Sequence, residues 1–215
     1  ELYFSTAEDK MKLVNDPYEI RPIVLNGTGF FVSEKGEVIT NRHVAMPWEY
    51  GDEKEQLGEW VKDIITSNIT DLEGLQFAVK NVSTIEISGE TIELGVALSD
   101  SYLNNTDDLI KCVFIKESNN PEIDVALLQI KDKTLPPKVH DIVDMNQAII
   151  DDHKIKEGLE VCMIGYPFGT KLGITREGLK PDYQKGIISQ NPSGVYFRLN
   201  ASAWHGSSGS PIINS

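Results

Sequence analysis

The stretch GTGFFVSEKGEVITNRHVA, residues 27–45, decides how the rest of the chain is read. Within it, 30–32 and 37–41 are short runs rich in β-branched and aromatic residues, separated by Ser33-Glu34-Lys35-Gly36. Serine and glycine in a short gap between two such runs signal a turn, so this segment is expected to fold as a hairpin. Its exit, Thr40-Asn41-Arg42-His43-Val44-Ala45, leaves a lone histidine just past the second strand. Imidazole titrates near neutral pH without heavy tuning, which suits proton transfer. The same position equally suits a polar residue satisfied by local hydrogen bonds.

Period two continues outward from this hairpin. Ile85 and Ile87 alternate with polar neighbours up to Ser88-Gly89, and Ile92, Leu94, Val96 and Leu98 alternate beyond it, a second hairpin. Runs at 109–116 and 125–130 add strands, as do Leu159, Val161 and Met163 alternating with Glu160, Cys162 and Ile164. Further runs at 186–190 and 194–200 follow at short spacing. Many short strands divided by turn residues point to an all-β sandwich or barrel rather than to βαβ units.

One segment breaks the rhythm. Leu57, Trp60, Val61, Ile64 and Ile65 follow helical spacing, with Asp52 and Glu55 placed like a capping box. An amphipathic helix inserted over residues 53–67 is expected, with Gly58 weakening it by up to about 1 kcal/mol. Its polar face is not basic, so its apolar stripe is expected to pack on the nearest barrel rather than on a membrane surface. Alternation fades between 131 and 158, where Pro136-Pro137 punctuates the start. The expected division is an N-terminal β-barrel over 20–131, a connector over 132–157 and a C-terminal β-barrel over 158–215.

Composition narrows the function. The chain has 215 residues, 40% hydrophobic and 25% charged, and its charge is 20 − 33 = −13. No run of lysines and arginines offsets that balance, which excludes a surface that tracks nucleic-acid phosphates or docks on anionic lipid. Apolar stretches such as 125–130 fall far short of the roughly 18–20 residues that cross a bilayer, so no membrane insertion is expected. Two cysteines, Cys112 and Cys162, make one disulfide or none, and each sits in a strand-like run that favours a buried free thiol. Glu1-Leu2-Tyr3-Phe4-Ser5 read as the remnant of an engineered protease-cleavage tag, apart from the fold. His140, Asp141, Asp144, Asp151, Asp152 and His153 carry metal-compatible groups, but no ligand spacing orders them, and no metal site is expected.

Two further stretches bear on chemistry. Gly206-Ser207-Ser208-Gly209-Ser210-Pro211 places a serine on a tight glycine turn. Acyl transfer needs such an exposed hydroxyl beside free backbone N–H groups, and flanking glycines let a substrate carbonyl approach. A plain glycine-serine loop reads the same way in isolation. Glu122-Ile123-Asp124-Val125-Ala126-Leu127-Leu128 leads a carboxylate straight into an apolar run. A carboxylate at a core edge needs hydrogen-bond partners, and either orienting an imidazole or capping a turn would supply them.

Together with Gly165-Tyr166-Pro167-Phe168-Gly169, these stretches occur in the order His, Asp, Ser, and the chain resembles a chymotrypsin-fold serine protease. The texture is closest to the HtrA/Deg and glutamyl-endopeptidase-like branch, over roughly residues 20–215. The resemblance implies two six-stranded antiparallel β-barrels with a cleft between them. It implies Ser208 as nucleophile, His43 as general base, Asp124 as its orienting carboxylate, and the N–H groups of Gly206 and Ser208 as oxyanion hole. It implies a protein or peptide substrate and no cofactor. By family position Ser202 and Ala203 would line the specificity pocket, with His205 at its edge. Both are small and uncharged, which argues against a preference for lysine or arginine. Ser207 stands where digestive members carry an acidic residue that pairs with a freed N-terminus, so activation by that route is not expected.

The chain departs from the family pattern in two places. The interval 124 − 43 = 81 is longer than the HtrA-like pattern by about the inserted helix. The second barrel is expected to be incomplete, because only seven residues follow Ser208 (215 − 208) and strands normally close it there. That leaves open a homo-oligomer or a regulatory domain beyond the C-terminus. The resemblance alone tilts the compartment to outside the cytoplasm. The alternative to an endopeptidase is a latent or inactive protease-like domain that serves binding or signalling.

Overall fold

The structure is a computed structural model that describes residues 3–7, 10–14, 24–50, 91–103, 105–149, 151–167, 169 and 173–214, with scattered positions between 55 and 76. Strands β1 (Tyr3–Ala7) and β2 (Lys10–Val14) pair only with each other, Tyr3 opposite Val14. Of the residues expected to stand apart from the fold, Tyr3, Phe4 and Ser5 lie in β1, and Glu1 and Leu2 lie outside the described residues.

The segment at 27–45 folds as its turn chemistry dictates. β3 (Phe30–Phe31) and β4 (Glu37–Thr40) pair antiparallel, and Gly36 N–H closes the turn on Ser33 O at 3.0 Å. β4 runs directly into a single helical turn, α1 (Arg42–Ala45), and a second, α2 (Pro47–Tyr50), follows. β5 (Leu94–Val96), β6 (Ile110–Glu117) and β7 (Ala126–Ile130) complete a five-stranded antiparallel sheet in the order β3-β4-β7-β6-β5. Alternation sends Val38 and Thr40 of β4, and Ala126, Leu128 and Ile130 of β7, to one buried face, where Cys112 and Ala45 join them. The register, Val38 opposite Leu128 and Thr40 opposite Ala126, places Asp124 and His43 just past the same end of the sheet.

The second half contributes β8 (Glu160–Gly165), β9 (Ile174–Thr175), β10 (Gly178–Leu179), β11 (Asp182–Ser193), β12 (Tyr196–Asn200) and β13 (Ile212–Asn214). Four of these form a sheet in the order β12-β11-β8-β13, while β9 and β10 make a small hairpin. Val161, Met163 and Ile188 carry its buried face. That hairpin is tied to the segment after β5: Leu179 N–H donates to Ser101 O at 2.9 Å and Asp100 N–H to Leu179 O at 2.8 Å.

The all-β, antiparallel fold expected from period two is what forms. Among the described residues the two main sheets hold five and four strands. Of the helix expected over 53–67, Glu55, Gly58, Glu59, Lys62, Asp63 and Ser67 have helical backbone, while its apolar stripe lies outside the described residues. Ile85 and Ile87 also lie outside them. Residues 132–149 and 151–157 hold two 3-10 turns, Met145–Gln147 and Asp152–Lys154, and no strand. In the acidic cluster there, Asp144 and Asp151 spend carboxylate oxygens on the N–H groups of Asn146 and His153, both at 3.0 Å. Both cysteines are free thiols, and burial pushes the Cys112 thiol up to about 11.

Candidate active site

Asn41 begins α1 in extended backbone, φ −74° and ψ 150°, but its side chain does not cap the helix. Its amide instead donates to Asp124 O at 2.5 Å. The next two residues grip the same loop. Arg42 Nη2 donates to Pro121 O at 2.7 Å, and His43 N–H donates to Asp124 Oδ1 at 3.1 Å. His43 Nδ1 lies 2.6 Å from Asp124 Oδ2, so both oxygens of one carboxylate are spent on one histidine. Such a contact makes Nδ1 the protonated nitrogen of the neutral ring and leaves Nε2 as its acceptor. Of the two uses open to Asp124, holding an imidazole and capping a turn, its oxygens meet both kinds of group: Oδ2 faces the His43 ring and Oδ1 accepts a backbone N–H in the first turn of α1.

Beneath this pair Arg42 is buried. Its guanidinium carbon sits 4.0 Å from the centre of the Tyr50 ring, and its Nε lies 3.9 Å from Glu117 Oε2. Tyr50 Oη donates to the other oxygen of Glu117 at 2.8 Å, and that bond raises the phenol's pKa. Arg42 of α1 thus stacks on Tyr50 of α2 and faces Glu117, with no hydrogen bond between Nε and Oε2.

The turn at 206–210 is built from its own backbone. Ser207 N–H donates to Trp204 O at 2.9 Å, Ser210 N–H to Ser207 O at 3.0 Å, and Ser207 Oγ accepts from Trp204 N–H at 3.2 Å. Gly206 and Gly209 take φ of +92° and +86°, a region open to glycine at little cost. Among the described residues, the N–H groups of Gly206 and Ser208 donate to no protein acceptor. The turn docks on the first sheet. Thr28 N–H donates to Ser208 O at 2.7 Å, and Thr28 Oγ1 donates to Gly206 O at 2.7 Å. Contact at Gly209 is tight enough that an added Cβ would lie 2.0 Å from Thr28 O and 2.6 Å from Thr40 Oγ1.

The tertiary structure thus brings the Ser208 turn against the start and end of the hairpin that carries His43. Ser208 is half-buried. No hydrogen bond joins its side chain to His43 among the described residues, and catalytic bonds of this kind often tighten only with substrate in place. Ser202, Ala203 and His205 are exposed on the approach to the turn, with Trp204 between them 56% exposed. Thr28, Asn41 and Arg42 lie inside the motifs of residues 27–45, yet their residue types alone give them no role there. Their partners lie between 79 and 178 residues away, and no local pattern announces such contacts.

A profile of the trypsin-like peptidase domain matches residues 27–215. The chain belongs to the trypsin-like peptidase family. Among solved structures it is similar to the serine endoprotease from Yersinia pestis, at 18% identity and a TM-score of 0.45. That match covers 98% of this chain and 47% of the other, so the chain spans about half the length of that protein.

Proposed function

We propose that this trypsin-like domain is a serine endopeptidase that cleaves protein or peptide bonds through an acyl-enzyme. Support comes chiefly from one observation: a histidine fixed by both oxygens of one carboxylate, at a sheet end where a glycine-flanked serine turn is docked. Ser208 Oγ attacks the scissile carbonyl carbon while its proton passes to His43 Nε2. The resulting oxyanion is stabilised by the N–H groups of Gly206 and Ser208, which have no protein acceptor among the described residues. The protonated imidazole, held by Asp124, then gives its proton to the leaving amine as the C–N bond breaks. Water attacks the acyl group next, with His43 again taking a proton, and Ser208 is regenerated. Every step draws on groups of the chain and on water.

The proposed division, 20–131 with His43 and Asp124, a connector over 132–157 and 158–215 with Ser208, puts base and nucleophile on different units. The exposed Ser202, Ala203 and His205 are proposed as the substrate-facing approach to the turn. Their small, uncharged members suit an apolar or small residue at the cleaved position.

A fluorophosphonate probe tests the reading. The chain is expected to label at one equivalent, and Ser208→Ala is expected to abolish labelling. Absence of labelling in the natural protein, or labelling that survives in Ser208→Ala, would refute the assignment and favour the binding-module alternative.

A further inference from the structure

Thr28 is only 4% exposed, yet it is fully engaged. Its N–H donates to Ser208 O at 2.7 Å, and its carbonyl accepts from Thr40 Oγ1 at 2.7 Å. Its hydroxyl donates to Gly206 O at 2.7 Å and accepts from Tyr166 N–H at 3.0 Å, where the chain leaves β8. One residue therefore links three elements: the nucleophile turn, the end of β4 and the end of β8. The two carbonyls it holds, Gly206 O and Ser208 O, bracket the serine on either side. Fixing a carbonyl fixes the plane of its peptide. The Gly206 bond sets the 206–207 peptide and the Ser208 bond sets the 208–209 peptide.

We propose that Thr28 is a positioning residue for acyl transfer, and that its hydroxyl locks the orientation of the 206–209 backbone from which Ser208 and the two N–H donors project. This rests on the serine-peptidase reading above. The hydroxyl is what distinguishes Thr28 from a spacer. A valine has nearly the same shape and keeps the backbone bonds, but leaves Gly206 O and Tyr166 N–H without their partner. The turn then loses one of its two anchors while the surface at 202–205 keeps its contacts. The defect is therefore expected in turnover rather than in substrate binding.

The experiment compares Thr28→Val, Thr28→Cys and Thr28→Ser in the full chain, with rates expressed per folded molecule from melting curves. Fluorophosphonate acylation and kcat on a peptide ester are read alongside amide exchange over 204–210. Thr28→Val is expected to lower acylation and kcat by about 10- to 100-fold, as for a reacting group displaced by a fraction of an ångström. KM should stay within about twofold, and exchange at 206–210 should rise. Thr28→Ser should recover to within about threefold, because it restores the hydroxyl, and Thr28→Cys, a weaker donor, should fall between. If Thr28→Val does not fold, slower acylation in Thr28→Cys than in Thr28→Ser supports the proposal, and equal rates overturn it. Equal acylation and exchange in Thr28→Val and the parent also overturn it, as does a Thr28→Ser defect as deep as that of Thr28→Val. Labelling that persists in Ser208→Ala would instead sink the serine reading, while the exchange data would still report on the tether.

Discussion

Gly209 and Gly158 share a φ of +86°, and that coincidence allows backbone strain and steric clash to be separated. A Cβ at Gly158 meets nothing within 4 Å, whereas at Gly209 it lies 2.0 Å from Thr28 O and 2.6 Å from Thr40 Oγ1. Gly158→Ala therefore carries only the cost of a left-handed alanine, about 1–2 kcal/mol. Gly209→Ala carries the same cost and must also open the contact to Thr28 O from 2.0 Å past 3.0 Å. A shift of about 1 Å breaks the Thr28 N–H bond to Ser208 O and the Thr28 hydroxyl bond to Gly206 O, each worth about 1 kcal/mol or more with its partner buried. The expected losses are about 1–2 kcal/mol for Gly158→Ala and about 3–5 kcal/mol for Gly209→Ala. Urea denaturation with a constant m-value measures both. Fluorophosphonate labelling per folded molecule should fall by about 100-fold or more in Gly209→Ala and stay at parental level in Gly158→Ala. Equal stability losses in the two variants would mean that the turn is not pressed on Thr28, and the docking argument would fail.

Four other outcomes follow from the structure. Asp124→Asn keeps the shape but removes the acceptor that fixes the His43 ring, and turnover on a peptide ester should drop by about 10,000-fold with folding retained. Arg42→Leu removes the donor to Pro121 O and the cation facing Glu117, which keeps its Tyr50 bond, and should cost about 1–3 kcal/mol in urea denaturation, with Glu117→Gln recovering part of it in the double variant. Burial holds the Cys112 pKa at about 11 in the fold, against 9.0 when exposed, so the folded state keeps this proton longer. The stability it contributes is fully present below pH 9.0 and is lost as pH rises toward about 11; melting points of the parent and Cys112→Ala across that window test this. In the native protein iodoacetamide should reach half-buried Cys162 before buried Cys112, as peptide mapping would show.

Local chemistry alone made much of the chain legible. The Ser33-Glu34-Lys35-Gly36 turn marked the first hairpin, the apolar run at 125–130 marked β7, and alternation at 159–164 marked β8, because a pleated strand sends successive side chains to opposite faces. The candidate triad was visible as residue types in a particular order beside glycines, since acyl transfer restricts which side chains can serve. Strand counts were less legible. Six strands per barrel is what the resemblance implies, and the described residues supply five and four of them.

What the sequence determined by itself was therefore the set of parts: short antiparallel strands, a histidine past a strand end, a carboxylate leading into a core strand, and a serine on a glycine turn. Only the tertiary structure decided how they are held. That Asn41, Arg42 and His43 jointly clamp the loop carrying Asp124, and that Thr28 binds Gly206 O from 178 residues away, is written in no local pattern. Hydrogen bonds of that range depend on which sheet ends meet, and that is settled when the buried faces pack, not by the residues on either side in the chain.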